Sequence, residues 1–115
     1  MKIYSTAPDG NEAAELENAH YFNLAISKIE ESNEWLKKAE KPYQVMLVHI
    51  DILLMLSRKY QADANLSIKK DRVLEWRNTF DAWFTRCGQK IPSKYRNGIK
   101  ENAEELFTEL SEYGH

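Results

Sequence analysis

The stretch Val45-Met46-Leu47-Val48-His49-Ile50-Asp51-Ile52-Leu53-Leu54-Met55-Leu56 has ten apolar residues in twelve, broken only by His49 and Asp51. It is too short to cross a bilayer, which takes roughly 20 apolar residues. A helix that is apolar nearly all round is buried on most of its sides. The second helix, about residues 42–61, is therefore expected to be the most buried element. At 100° per residue, Gln44, Asp51, Arg58 and Lys59 share one narrow polar stripe, which also holds Val48 and Met55. Met46, Ile50, Leu53, Ser57 and Tyr60 fall opposite. His49 and Asp51 point about 200° apart, so they form no joint site. His49 is expected inside with a partner, and Asp51 in solvent.

Working outward, the flanking segments carry their own apolar faces. Residues 1–8 read as a short extended N-terminal arm. Asp9 with Glu12 has the spacing of a capping box. The first helix then runs to about Lys38, with Phe22, Ile26, Ile29, Asn33 and Leu36 on one side. Pro42 suits the first turn of the second helix. Residues 62–68 read as a loop, with Ser67 as the cap of the third helix. That helix, about 69–86, places Val73, Trp76, Phe80, Trp83, Phe84 and Cys87 together, and Gly88 stops it. Pro92 and Ser93 open the fourth helix, which runs to about Tyr113 with Tyr95, Ile99, Ala103, Leu106, Phe107, Leu110 and Tyr113 inward. Four amphipathic helices with short connections predict an all-α, antiparallel four-helix bundle.

The 115 residues fit one domain with a core of its own. The solitary Cys87 makes no internal disulfide, and no apolar leader opens the chain; a cytoplasmic protein without membrane contact is expected. Charge is unevenly spread. Residues 1–57 carry 5 basic and 9 acidic side chains, residues 58–100 carry 11 and 4, and residues 101–115 carry none and 5. Such blocks bear on partners more than on fold.

Catalytic and metal signatures are weak. Glu17-x-x-His20 has the spacing of a bundle di-metal ligand pair, but it is one pair where two are needed, and it faces away from Phe22 and Ile26. Cys87 falls on an apolar face, where a thiol packs. No phosphate-binding glycine loop and no zinc spacing occurs. The sequence is read as a non-enzymatic protein with no metal and no cofactor.

Two surfaces remain. On the outer side of the first helix, Tyr21, Leu24 and Trp35 lie among acidic residues that include Glu31 and Glu34. Exposed aromatic residues are common interface anchors, and the glutamates suit a basic protein partner. Homodimerisation through the same patch is a variant of that reading. The arm (Ile3, Tyr4) or the loop bearing Leu66 and Ile68 would cover the patch in a purely structural account. The second surface is basic: Arg86, Lys90, Lys94, Arg96 and Lys100 gather around the start of the fourth helix, opposite to the helix-dipole preference. It suggests an anion or nucleic-acid site of low sequence specificity. The first surface makes the chain an inhibitor-like, immunity-type or adaptor protein; the second is the alternative.

Overall fold

The computed structural model describes residues 2–8, 10–42 and 45–115. Helix α1 spans Glu12–Leu36, α2 Met46–Lys59, α3 Gln61–Ser67, α4 Lys70–Cys87 and α5 Ser93–Leu110, with a 3-10 turn at Gly88–Lys90. The fold is all-α. Among the described residues the β pairing is a single bridge between Ile3 and Asn11, which lays residues 2–4 against residues 10–12. Asn11 caps α1, its side chain accepting from the Ala14 amide at 2.9 Å. The expected cap Asp9 lies outside the described residues, and Glu12 instead accepts from the Lys2 amide.

The apolar stripes read from the sequence are the ones that meet. Phe22, Ile29 and Leu36 of α1, Met46, Ile50, Leu53 and Leu54 of α2, Val73, Trp76, Phe80 and Trp83 of α4, and Ala103, Phe107 and Leu110 of α5 form one buried core. Phe80 ties two helices together, with ring centroids 5.6 Å from Trp83 and 5.9 Å from Phe107. Ser57 is fully buried and donates back to the Leu53 carbonyl at 2.7 Å, so its hydroxyl is satisfied. Tyr95, expected inside, is exposed in the first turn of α5.

Residues 61–67 are a helix, not the expected loop. Ala64 is fully buried in the core, and so is Ile68 at the helix end. The segment is too short to show a period, yet its two alanines favour helix and its one buried face is enough. Ser67 sits inside this helix, and α4 starts from Lys69 without a side-chain cap. Pro42 lies ahead of α2 rather than in its first turn, since the helix begins at Met46. At Gly88 the chain does not turn left-handed; its backbone (φ −59°, ψ −29°) lets α4 tighten into the 3-10 turn. The true left-handed glycine is Gly114 (φ +87°), where a Cβ would come 2.2 Å from the Ile68 carbonyl oxygen. It lets His115 exchange backbone hydrogen bonds with Ile68 and Lys70, pinning the chain end onto the α3–α4 junction.

The helix order also differs from a simple up-and-down bundle. Helix α1 packs on α2, α3 and α4, while α5 packs on α2 and α4. Along α1 and α4 the partner numbers climb together. Arg72 meets Glu30 at 2.7 Å, Glu75 accepts from Asn33 at 2.7 Å, and Arg86 donates to the Leu36 carbonyl at 2.7 Å. These two helices therefore run parallel. So do α2 and α5, where Asp51 lies near Asn102 and Arg58 binds Glu109 at 2.6 Å. Sequence neighbours α1/α2 and α4/α5 run antiparallel; Trp35 lies beside Val45, and Phe80 beside Phe107. Short α3 carries the chain from one hairpin to the other, the step that a loop reading of residues 62–68 concealed. The result is elongated, 53 × 24 × 21 Å.

Helix α2 is one-sided rather than buried on most sides. Val48, Ile52 and Met55 are 57%, 46% and 60% exposed. Packing with α1 and α5 covers only the Met46–Ile50–Leu53–Ser57 side.

The α1–α4 contact centres on Glu30, which accepts from Arg72 and from the Trp76 indole N–H. Burial alone would raise the pKa of Glu30. The hydrogen bonds from Arg72 and Trp76 and the Arg72 charge outweigh burial, so the carboxyl titrates below its ordinary 4.5. Glu75 is lowered as well, chiefly by hydrogen bonds from Asn33 and Lys37. A carboxyl whose folded pKa is depressed stabilises the fold fully above its unfolded pKa, and that stabilisation disappears as pH falls through the folded value. Glu30→Gln should therefore be less stable than the wild type at neutral pH. The gap should narrow as pH drops below about 4.5, measured as urea midpoints across an acid series.

Candidate functional site: the groove between α1 and α2

Two shallow grooves lie end to end over the seam between α1 and α2. One is lined by Lys28, Glu31, Ser32, Trp35, Val45 and His49. The other is lined by Tyr21, Leu24, Ala25, Lys28, His49, Ile52 and Leu56. They share Lys28 and His49, so the seam is one continuous trough. Six of the twelve large apolar side chains left exposed among the described residues lie on this side: Tyr21, Leu24, Trp35, Val48, Ile52 and Met55. The other six are spread over the N-terminal segment, the start of α1, α3, α4 and α5. Concentration of this kind, rather than single exposed apolar residues, marks an interaction surface.

Helical spacing explains why the trough exists. On α1, Glu17, Tyr21, Leu24, Lys28, Glu31, Trp35 and Lys38 follow one another at alternating steps of four and three. On α2, Val45, Val48, Ile52, Met55 and Lys59 do the same. Each helix thus carries a second stripe beside its core stripe, with the spacing of a coiled-coil seam. Only the core stripe is covered by α4 or α5.

Of the expected partner-binding residues, Tyr21, Leu24, Glu31 and Trp35 line this trough. Glu34 does not. It turns to Lys37, 3.1 Å away, which also binds Glu75 of α4 at 3.1 Å. Lys28, Val45, His49, Ile52 and Leu56 were missed, although the repeating four-and-three spacing was present to be read. Among the described residues none of the N-terminal segment or α3 lines the trough: Ile3, Tyr4 and Leu66 are themselves exposed, and Ile68 belongs to the core. His49 is half-buried at the middle of the trough, not inside the core, and Asp51 is exposed as expected.

The basic segment has a different use. Arg86 donates to the carbonyls of Leu36 and Ala39, and Lys90 to that of Glu40, all at the C-terminal end of α1. Arg96 reaches back to the carbonyls of Gly88, Gln89 and Ile91. Lys94 lies over the Tyr95 ring and Lys100 over the Phe84 ring. A helix C-terminus leaves carbonyls without helical partners and carries partial negative charge. The cations look misplaced for α5 only because they serve α1, α4 and the 3-10 turn.

Glu17 and His20 are both exposed, and the described residues contain no group of three or more His, Cys, Asp or Glu side chains able to hold a metal ion. Cys87 is buried, its thiol directed at the Ala39 carbonyl. Among the described residues no helix is long and apolar enough to cross a membrane. The chain matches no protein family, no curated protein and no solved structure.

If Arg86 is a structural cap, Arg86→Met should lower stability by about 1–3 kcal/mol, the cost of leaving carbonyls without a charged donor. The check is a urea unfolding curve, with α-helical circular dichroism confirming that the folded baseline is unchanged.

Proposed function

We propose that this chain is a non-enzymatic binding protein that works through a protein seated in the α1/α2 trough. The observation that carries this reading is the stripe with coiled-coil spacing on each of two adjacent helices, whose side chains Tyr21, Leu24, Trp35, Val48, Ile52 and Met55 are 43–60% exposed. Tyr21 and Trp35 are the anchors, since aromatic side chains contribute disproportionately to protein interfaces. Leu24, Val45, Ile52 and Leu56 supply the apolar lining. The rim carries both signs, with Glu17 and Glu31 beside Lys28, Lys38 and Lys59, so the trough suits a partner of mixed charge better than a purely basic one. The fold that goes with this function is a bundle of two antiparallel helical hairpins, one of which offers its outer face. An inhibitor, an immunity-type protein and an adaptor all fit this description. A reducing, cytoplasmic setting goes with the lone buried thiol.

The test is affinity capture from the source cell with the wild-type chain and with Leu24→Glu/Ile52→Glu. A partner held by the first and released by the second supports the reading, provided that both chains have the same helical circular dichroism. A captured partner indifferent to the double substitution would overturn it.

Nucleic-acid binding through Arg86, Lys90, Lys94, Arg96 and Lys100 has less support, because Arg86, Lys90 and Arg96 already donate to backbone carbonyls. Electrostatic binders gain affinity steeply as salt falls. A duplex or single-stranded oligonucleotide titrated at low salt should therefore show no salt-dependent binding to this chain.

A further inference from the structure

The exposed stripe of α1 is complementary to itself. Its residues Tyr21, Leu24, Lys28, Glu31 and Trp35, with Lys38 in the turn that follows Leu36, can be laid against a second copy running in the opposite direction, with the crossing centred between Lys28 and Glu31. Lys28 then faces Glu31 of the second copy, and by the two-fold Glu31 faces its Lys28. Leu24 faces Trp35, and Tyr21 faces Lys38, a cation over an aromatic ring. In this register every apolar side chain of the stripe meets an apolar or aromatic-compatible one, and each charge at the centre meets its opposite. Moving the register by one heptad would set Lys28 against Leu24 and Glu31 against Tyr21, leaving both charges facing apolar or aromatic groups. We propose that the occupant of the α1/α2 trough is a second copy of this chain, joined by an antiparallel α1–α1 seam in this register.

The surface available agrees with a dimer. Taking Tyr and Trp side chains as presenting about 150–250 Å² when fully exposed and the aliphatic ones as presenting less, the six on this side, 43–60% exposed, offer on the order of 500 Å² per copy. A stable interface needs about 800 Å² per partner, and the stems of Lys28, Lys38 and Lys59 and the half-buried His49 and Leu56 supply the remainder. The same two-fold brings the α2 edge bearing Val48, Ile52 and Met55 toward its own copy. The α1/α2 faces of the two copies then stack as two layers of two helices. A foreign partner would need to match this alternation of charge, whereas a second copy matches it by symmetry.

This inference rests on the proposed use of the trough and names its occupant. Sedimentation of the wild type from micromolar to millimolar concentration should show twice the chain mass. Trp76 and Trp83 are at most 1% exposed and Trp35 is 43% exposed, so iodide quenching of tryptophan fluorescence reads Trp35 and should fall as the dimer forms. Leu24→Glu should give a monomer. Lys28→Glu and Glu31→Lys each place like charges across both symmetric contacts and should weaken the dimer roughly tenfold. The double swap Lys28→Glu/Glu31→Lys should restore it. Circular dichroism at dilution controls for the loss of the intrachain Lys28–Glu31 pair (3.5 Å). A wild-type monomer at every concentration overturns the inference, as does a dimer indifferent to Leu24→Glu, or singles that weaken without rescue by the double swap. If the wild type is monomeric and the groove variant still releases a captured protein, only the second-copy inference fails. If neither assembly nor capture depends on the groove, the binding function fails with it.

Discussion

Glu30 holds the two hairpins together. Its carboxylate accepts from Arg72 and from the Trp76 indole, joining α1 to α4 across 42 and 46 residues of sequence. The side chains are only partly buried, so the geometry matters more than the burial: a guanidinium fork and an indole N–H fix the height of α4 along α1. With that height set, Glu75 reaches Asn33 and Lys37, and Arg86 reaches the end of α1. A parallel pair of helices has opposite needs at its two ends, and the ladder of contacts from Glu30 to Arg86 meets the one at the C-terminus of α1.

That end is where the basic segment acts. The carbonyls of Leu36, Ala39 and Glu40 would otherwise lie open at the negative pole of a 25-residue helix. Arg86 and Lys90 supply the donors. Arg96 does the same for the 3-10 turn after α4. Helix α5 accepts cations at its own positive pole, and the gain lies in the neighbouring helix ends. At the other end of the molecule, Arg58 and Glu109 make a two-bond pair between α2 and α5, and Lys70 donates to the Ser111 carbonyl.

Covering the inner faces leaves one side of the α1/α2 hairpin over. Helix α1 packs on α2, α3 and α4 and helix α2 on α1, α3 and α5, and both use their core stripes to do so. Helices α1 and α2 both carry a second stripe, and those stripes adjoin because the hairpin is antiparallel and tightly joined. His49, expected inside with a partner, interrupts the apolar run as a half-buried member of the outward trough.

The sequence by itself determined the all-α class, the long helices, the inward stripes and the exposure of Tyr21, Leu24 and Trp35. These follow from local periodicity, which a 3.6-residue turn converts directly into a face. It also carried the second stripes, legible in the four-and-three spacing of α1 but hidden in α2 by a run so apolar that every side looked buried. Tertiary structure alone decided that α1 and α4 lie side by side, that residues 61–67 coil into a helix that buries Ala64, and that Arg86, Lys90 and Arg96 end on carbonyls. The reason is physical. For Arg86 and Lys90, which helix end lies beside which cation depends on contacts 50 residues apart, and no local period encodes them.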